Sequence, residues 1–271
     1  MLGLSVFPAL WAFLISRQKW NGIAPAKPLG WLNYQRLASD PDMLAAINHT
    51  ILLSALFVPS SILLGLLIAI ALNQPIRLIA FYRTCIFVPF VTSAAVTGIL
   101  ASFVFNPQFG IANAGLRGLG VAPQPFLEST SQVIPVLTVI TLWGQLGFTV
   151  VVYLAALQDI PRELVEAALI DGANRRQVFR YVTVPQLTPV TVFTTVWQTI
   201  TALQLFDLIF TTTRGGPLGA SQTVVYYVYE QAFRFSKYGY ASAVAYVLFL
   251  FTMVITIAMV LYARRRNLEA F

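Results

Sequence analysis

The stretch ILLSALFVPSSILLGLLIAIAL, from Ile51 to Leu72, decides the fold class of this chain. It contains no charged side chain, and it is long enough to supply the roughly 20 apolar residues that an α-helix needs to cross a bilayer. The charged residues nearest to it are Asp42 before it and Arg77 after it. We therefore interpret it as one complete membrane-spanning helix.

Composition places the whole chain in a membrane rather than in water. Of its 271 residues, 58% are apolar and only 10% are charged, with a mean hydropathy of +0.74. So few charged side chains cannot cover two soluble domains. The net charge is +7, but the basic residues lie singly or in short clusters between apolar runs, so nucleic acid is not an expected partner. Cys85 is the single cysteine, and no Cys/His cluster has metal-ligand spacing, so no metal site is expected.

Gaps between charges predict further spans. Four more uncharged stretches are each long enough to cross about 30 Å of hydrocarbon. They run over residues 84–116, 129–158, 181–206 and 238–263. Together with Ile51–Leu72 they predict five full spans. Met1–Ser16 is also uncharged but short, and it lacks the features of a signal peptide, so we interpret it as the second half of a sixth span.

The basic loops predict the orientation and the division of the chain. If the first span runs outward, Lys and Arg are denser in the inner loops, and Arg264-Arg265-Arg266 follows the last span directly. Because cytoplasmic loops carry the excess of basic residues, we predict a cytoplasmic C-terminus. We expect three parts: residues 1–46 form a partial first span and an external loop, 47–265 form a core of five spans, and 266–271 form a cytoplasmic tail.

The spans lack the residues that catalysis would need. His49 is the single histidine, and its position at the start of a span favours an interfacial or packing role. The sequence contains no Gly-x-x-x-x-Gly-Lys-Ser/Thr phosphate loop, so the chain does not hydrolyse ATP by that route. We predict that this protein is not an enzyme and that any ATP-driven step belongs to another subunit.

Helix breakers occur inside several predicted spans. In lipid, the backbone groups that a breaker frees must find partners in neighbouring helices, so breakers mark contact faces or bends. Such helices are typical of a moving bundle, and static kinks needed for packing explain them equally well. The breakers are Pro59, Gly65, Pro89, Gly98, Pro135, Gly144, Gly147, Pro185 and Pro189.

The most informative charged segment between spans is QDIPRELVEAALIDGANRRQVFRYVTVP, residues 158–185, which we call the coupling loop. Its pattern predicts a short helix, a glycine turn and a second short helix. Pro161 suits a first helical turn, and Gly172 suits the left-handed conformation that ends a helix. An exposed helix with small and apolar residues is suited to lying in a groove of another protein.

This segment resembles a known signature. Glu166-Ala167-Ala168, three residues, Gly172, nine residues, Val182, one residue and Val184-Pro185 resemble the EAA loop. That loop is the signature of the inner-membrane permease subunits of binding-protein-dependent ABC importers. The family more often has Ile and Leu at the two valine positions, 182 and 184, which is a conservative departure.

The resemblance extends from about Phe7 to Tyr262 and points to the carbohydrate-uptake branch, which includes maltose-type and glycerol-phosphate-type permeases. Family members normally carry a whole first span, whereas this chain opens partway through it. The matching pieces, in order, are WNG at Trp20, LNYQRL at Leu32, FYRT at Phe81, VP at Val88, FNPQFG at Phe105, LAALQDIP at Leu154, LQLFD at Leu203, TRGGP at Thr213 and VVYYVYEQAFRFSKYGYASA at Val224.

The resemblance implies an all-α, six-span type I ABC importer permease fold in a bacterial or archaeal inner membrane. It implies a second homologous permease, two ATPase subunits that bind ATP and Mg, an extracytoplasmic solute-binding protein and surrounding lipid as partners, with no cofactor in this chain. In the family the EAA helix is a cytoplasmic coupling helix that docks in a cleft of the ATPase. The residues implied in that contact are Glu166, Ala167, Ala168, Asp171, Gly172, Arg175 and Arg176.

The span over residues 181–206 has one face rich in hydroxyl and amide groups. In lipid such a face turns inward. It predicts either a polar pathway for a hydroxylated solute or helix packing through hydrogen bonds. The candidate pathway residues are Thr195, Gln198, Thr199, Gln204 and Asp207.

The Thr-x-Gly-Gly-Pro loop follows this span. By resemblance it faces the solute-binding protein, which makes Thr213, Gly215, Gly216 and Pro217 candidate contacts. The aromatic segment after it, residues 224–235, predicts an interfacial helix at the membrane surface.

Two other classes of protein were compared with the importer permease. An ion-coupled secondary transporter should carry both halves of a repeat, and it often places ionisable groups in mid-membrane. The sequence shows neither feature, and a membrane-bound enzyme would need a catalytic constellation. We therefore predict half of the translocation pathway of an ATP-driven importer for a sugar or sugar-like solute. The choice among an oligosaccharide, a disaccharide, an amino sugar and a glycerol phosphodiester stays open.

Overall fold

The computed structural model describes residues 2–75 and 77–265, and the chain is predominantly helical. The elements up to the centre of the chain are α1 (Leu2–Ser16), β1 (Gln18–Lys19), β2 (Lys27–Pro28), α2 (Leu32–Ser39), α3 (Pro41–Leu72), α4 (Ile79–Val91), α5 (Ala94–Val104), α6 (Ile111–Gly118) and α7 (Val133–Asp159). The later helices are α8 (Arg162–Ile170), α9 (Arg175–Val178), α10 (Val184–Leu203), α11 (Asp207–Thr211), α12 (Val224–Tyr229) and α13 (Tyr238–Arg265). A 3-10 turn, Phe126–Glu128, precedes α7, and π-helical segments, Phe179–Thr183 and Glu230–Arg234, follow α9 and α12.

The long apolar helices confirm the helical membrane class. Within the described ranges, four helical segments are long and apolar enough to cross a membrane, or up to five if one bent pair counts as a span. The four are Pro41–Leu72, Val133–Asp159, Arg175–Thr211 and Tyr238–Ala263. The first of them begins ten residues before Ile51, at Pro41, so α3 crosses the predicted boundary between residues 46 and 47.

The predicted span over residues 84–116 is wrong as a single helix. The chain forms α4 and α5 there, bent by 102° against each other, and α6 is separate. Thr92 and Ser93 are extended, with ψ of 139° and 136°, and Pro89 in the preceding turn has no N–H to donate. Asn106 then accepts the backbone N–H groups of Gln108 and Phe109 and ends the segment in a turn. The absence of charged residues shows that a stretch is apolar. It does not show that the stretch forms one continuous helix.

Helices α3 and α7 form the centre of the bundle. Leu53 and Phe57 of α3 pack with Val133 and Leu137 of α7 in a buried apolar cluster, and all four side chains are fully enclosed. At the opposite end of the same two helices, a second cluster of aliphatic side chains surrounds the buried Tyr153. These two clusters set the frame from which the loops at both ends project.

Glycines mark close contacts between helices, as the helix breakers predicted. A Cβ atom added at Gly65 of α3 would lie 2.3 Å from a methyl carbon of Thr149, and one at Gly147 of α7 would lie 2.5 Å from the Ile86 carbonyl oxygen. A Cβ at Gly98 of α5 would meet Thr211 at 1.9 Å. Gly144 differs, because nothing lies within 4 Å of its added Cβ. Three of these glycines are therefore contact positions and one faces open space.

The end of the bundle where α3 begins is tied together by loops and α12. Asp40 caps α3, His49 hydrogen-bonds the Gln222 carbonyl at 3.1 Å, and Thr50 accepts the Val224 N–H at 3.0 Å. His49, for which the sequence predicts an interfacial or packing role, thus joins α3 to the loop before α12. The predicted tail, residues 266–271, and Met1 lie outside the described residues, and so does Arg266 of the basic cluster after α13.

Candidate functional site

The coupling loop forms the predicted helix, glycine turn and second helix. Helix α8 begins after Pro161 and ends at Ile170, with Asp171 as its C-cap. Gly172 has φ of +86°, and the Ala173 N–H donates to the Ala168 carbonyl at 2.9 Å across the turn. An L-residue rarely adopts this φ, so glycine is favoured here. Helix α9 then begins with a capping box, in which the Asn174 and Gln177 side chains each bond the other's backbone N–H.

The surface of α8 is exposed along its whole length. None of its residues is buried, and Leu164, Leu169 and Ile170 are 42%, 49% and 86% exposed. The polar and small residues predicted for coupling lie on the same exposed segment, where Ala168 is half-buried and the others are exposed. Those others are Glu166, Ala167, Asp171, Gly172, Arg175 and Arg176. An apolar helix surface without cover in its own chain is suited to contact with another protein.

A cavity of about 740 Å³ lies between α8 and the ends of α3 and α7. Arg162 and Glu166 line it from α8, and Asn73 and Gln158 line it from the ends of the two long helices. Glu166 therefore lies at the junction of the exposed helix and the bundle.

The hydroxyl groups of α10 bond mainly within their own helix. Thr195 donates to the Thr191 carbonyl at 2.6 Å, and Thr199 donates to the Thr195 carbonyl at 2.7 Å. Such bonds satisfy the hydroxyl groups and leave apolar methyl groups for packing. These two candidate pathway residues are half-buried, and their hydroxyl hydrogens are already used.

Gln198 is fully enclosed and links three helices. Its Nε2 donates to the Thr149 hydroxyl at 2.7 Å, and that hydroxyl lies 3.0 Å from the Ser61 hydroxyl. Its Oε1 is buried without a hydrogen-bond partner among the described residues. One of the two glutamine amides of α10 thus lies at the α3–α7–α10 junction.

The remaining two pathway candidates lie at the end of α10. Gln204 is exposed and lines an apolar groove of about 650 Å³ between α10, α12 and α13. Asp207 is exposed at the first residue of α11. The structure therefore does not gather the five candidates into one pocket within this single chain.

The Thr213–Pro217 loop is held by its own hydrogen bonds. The Thr213 and Ser221 hydroxyls are 2.7 Å apart, and Ser221 donates to the Gly216 carbonyl at 2.6 Å. Gly215 has φ of +82° and packs against the Tyr226 ring. Thr213, Gly216 and Pro217 line a cavity of about 370 Å³ together with Asn106 and Glu128. Three of the four predicted contacts thus share one cavity with two polar side chains from other loops.

An aromatic surface across α4, α7 and α10 was missed by the sequence reasoning. The rings of Phe148 and Trp197 stack with centroids 5.2 Å apart, and Phe90 approaches Phe148 at 5.4 Å. Trp143, five residues before Phe148 in α7, is exposed, and Gly144 beside it leaves open space. The rings come from three separate helices, so no spacing within one helix predicts the surface.

Asp40 is a second residue that the sequence reasoning missed. Its carboxylate accepts the hydroxyls of Tyr227 and Tyr240, each at 2.6 Å, and the backbone N–H groups of Asp42 and Met43. Partial burial raises the pKa of Asp40, but these hydrogen bonds outweigh it and hold the pKa below the usual value. Burial and the bond to Asp40 raise the pKa of Tyr227. The sequence signal was an aspartate before a proline, which is typical of a helix N-cap.

Comparisons with known proteins identify the family. Residues 61–268 match the model of the family described as binding-protein-dependent transport system inner membrane component. The chain is 34% identical to a probable ABC transporter permease protein of Pyrococcus horikoshii, over 95% of this chain and 89% of that one. It is 35% identical to the lactose transport system permease protein LacF of Rhizobium radiobacter, over 97% of this chain and 89% of that one.

A solved structure supports the same fold. A crystal structure of a bacterial alginate ABC transporter, in complex with an alginate pentasaccharide-bound periplasmic protein, contains a chain similar to this one. The TM-score is 0.84, with 22% sequence identity, and the match covers 98% of this chain and 89% of that one. Neither these relatives nor this structure supports the ion-coupled alternative. The chain belongs to the family of binding-protein-dependent transport system inner membrane components, and it is a multi-pass permease subunit of an ABC importer.

Proposed function

We propose that this permease imports a sugar or sugar-like solute and that its coupling loop transmits the motion of a separate ATPase subunit. The observation that carries the second part is α8, a short helix with no buried residue and three exposed aliphatic side chains. The lactose system of the LacF relative supports the first part. In this proposal ATP and Mg are bound by the ATPase, and this chain binds neither.

The contact with the ATPase would place α8 in a groove, with small side chains allowing close approach. Glu166, Ala167, Ala168 and Asp171 supply the helix surface, Gly172 fixes its angle to α9, and Arg175 and Arg176 are free to pair with acidic groups. Because Gly172 and the capping box define the angle, a push on α8 is passed to the π-helical segment and α10. This is a rigid connection between an exposed helix and a membrane span.

Co-purification tests the coupling proposal. Ala168→Glu should abolish capture of the ATPase, because a long charged side chain would overpack the groove. Ala114→Glu on α6, an exposed alanine at the opposite end of the bundle, is the matched control and should capture the ATPase normally. Capture that is equal for both variants would contradict the assignment of α8.

The membrane topology is also part of the proposal. We propose six spans, with α1 in the first span, the bent α4–α5 pair as one span, and a cytoplasmic C-terminus. The coupling loop and the Thr213–Pro217 loop lie at opposite ends of the bundle, because α10 separates them. A cysteine near Gly172 should therefore be labelled only from the cytoplasm, and one near Gly216 only from outside. The reverse labelling pattern would overturn both the orientation and the coupling proposal.

The solute pathway would run along the surfaces of α7 and α10 that this chain leaves open. The Phe148–Trp197 stack and exposed Trp143 present flat apolar faces, which suit the apolar face of a sugar ring. Gln204 and Asp207 supply polar groups nearer the outer end. A second permease would complete the pathway, since only 6% of the α13 segment is buried within this chain. The Thr213–Pro217 loop would contact the solute-binding protein. Calorimetry of candidate sugars with that binding protein would identify the solute.

A further inference from the structure

A cavity of about 540 Å³ lies where α1 ends and α13 begins. Its walls come from the β1–β2 hairpin, from α2 and from the residues around the start of α13. It is at the opposite end of the bundle from the coupling loop, and the Thr213–Pro217 loop does not line it. Asp40 and Tyr240, which are hydrogen-bonded to each other, are the residues that this cavity shares with the arrangements already described.

The cavity is cationic. The basic side chains that line it are Lys19, Lys27, Arg36 and Lys237. The ion pair found in the described part of the chain joins Arg234 to Glu230, so no carboxylate there lies within 4.0 Å of these four cations. The Asp40 carboxylate also lines the cavity, but its oxygens are engaged by two tyrosine hydroxyls and two backbone N–H groups. Four cations thus surround one carboxylate that is already hydrogen-bonded.

The surroundings of the cavity are those of a membrane–water interface. Trp20 and Tyr240 line it, the Trp20 ring lies 5.7 Å from that of Tyr238, and Arg17 lies over the Trp31 ring at 4.9 Å. Trp and Tyr concentrate at the depth of lipid headgroups. Helix α1 ends two residues before the cavity begins at Gln18, and its exposed side chains are apolar. They include Phe7, Leu10, Trp11 and Leu14.

We infer that this cavity binds the phosphate group of an anionic phospholipid, whose acyl chains lie along the exposed face of α1. The four cations attract the phosphate, and each basic residue near a membrane surface strengthens binding of an anionic lipid about fivefold. The apolar surface of α1 takes up the chains. Inorganic phosphate would use the cations alone and leave the apolar surface uncovered. This inference does not depend on the solute or on the coupling proposal.

Native mass spectrometry of the assembled transporter in detergent tests the inference. Phosphatidylglycerol should bind more tightly than phosphatidylcholine. Lys27→Gln/Lys237→Gln should weaken phosphatidylglycerol binding about 25-fold, at about fivefold for each cation, and leave phosphatidylcholine binding unchanged. Arg117→Gln removes a cation from the same end of the bundle but outside the cavity, so it should bind as wild type. If the double variant does not assemble, Lys19→Gln alone should weaken binding about fivefold.

Four results would overturn the inference. One is equal affinity of the wild type for the two lipids, and another is equal loss of phosphatidylglycerol in the cavity variant and its control. The third is binding of inorganic phosphate as tight as that of phosphatidylglycerol, which would show that the apolar surface of α1 adds nothing and would make free phosphate the ligand. Retention of the lipid by Lys27→Gln/Lys237→Gln, with loss of stimulation by the binding protein, would instead assign the cavity to a protein contact.

Discussion

Each end of the bundle carries a short helix with apolar side chains, and the two helices differ in how far this chain buries them. Helix α8 has no buried residue, whereas Val224, Tyr226 and Tyr227 of α12 are almost fully buried. The N-terminal end of α12 is also bonded to Thr50 and, by way of its N-cap Thr223, to the Leu205 carbonyl. One helix completes its contacts inside this chain and the other presents an uncovered surface. This difference is what the proposed docking of α8 on a separate ATPase subunit would require.

The largest effect that would test this contrast is expected from Gly172→Val. A β-branched residue at φ of +86° is strained, so the turn would change and α8 would be reoriented against α9. Solute uptake by cells should fall to background while the permease stays in the membrane, because the strained turn lies outside the bundle.

Gly120→Val is the matched control for Gly172→Val. Gly120 has φ of +74° and nothing within 4 Å of its added Cβ, as Gly172 has, but it lies at the opposite end of the bundle. It suffers the same strain without touching the coupling loop, so uptake should be kept. Normal uptake by Gly172→Val would disprove the coupling role, and loss of that variant from the membrane would show that the turn is needed for folding.

The stable end should respond most strongly at Asp40. Asp40→Ala removes the cap of α3 and the shared acceptor of two partly buried tyrosine hydroxyls, which should cost about 2 to 4 kcal/mol. Thermal unfolding of the purified permease measures it. Asp42→Ala is the control, since it removes an acidic group from the same helical turn and leaves the Asp40 bonds intact. An equal drop in unfolding temperature for the two variants would mean that negative charge in this turn, and not the Asp40–Tyr227–Tyr240 hydrogen bonds, stabilises this end.

The same cluster gives a pH dependence of defined sign. Because the pKa of Asp40 is lower in the folded state, its contribution is present above the unfolded pKa of about 3.9 and is lost as the pH falls through the folded value. The stability difference between wild type and Asp40→Asn should therefore be constant near neutral pH. It should shrink only in acid below about pH 4. A difference that changes between pH 6 and 8 would contradict the assignment.

The contact between α3 and α7 connects the two ends of the bundle, and a substitution there should lower the stability by a smaller amount. Gly65→Ala places a Cβ atom 2.3 Å from a Thr149 methyl carbon, so α3 and α7 must separate, at about 1 to 3 kcal/mol. Gly144→Ala, on the open side of α7, should leave the unfolding temperature unchanged. If Gly65→Ala leaves the unfolding temperature unchanged, α3 and α7 are not tightly packed at this position. The two ends of the bundle would then be less rigidly connected than we infer.

Much of this arrangement was accessible from the sequence, and the rest was not for physical reasons. The loop around Gly172 was predicted because its helix, turn and cap are local features, each set by residues a few positions apart. The break at Thr92 was missed because the absence of charged residues predicts that a segment lies in lipid. It does not detect two residues with extended backbone conformation. The Asp40–Tyr227–Tyr240 cluster was missed because its members are nearly 200 positions apart in sequence. Residues that act together across such distances leave no spacing to recognise.

The smallest effect decides between packing and transport at the centre of the bundle. Gln198 makes one hydrogen bond, to Thr149, and its Oε1 is buried without a partner in the described structure, so Gln198→Leu removes one bond and one unsatisfied group together. Hydrogen bonds between membrane helices average about 0.6 kcal/mol, and the unfolding temperature should therefore hardly move. Thr149→Val is the informative companion, because it leaves the whole Gln198 amide and the Ser61 hydroxyl without this partner, at about 1 to 3 kcal/mol.

Uptake completes the test of Gln198. If the glutamine only packs α10 against α3 and α7, Gln198→Leu should transport solute at the wild-type rate. If its unpartnered Oε1 receives a solute hydroxyl when the bundle opens, uptake should fall while the unfolding temperature stays constant. The buried position and the existing bond to Thr149 favour packing in the state described here, so we expect normal uptake. A selective loss of uptake would move the solute pathway from the open aromatic surface of α7 and α10 to the enclosed junction of the three helices.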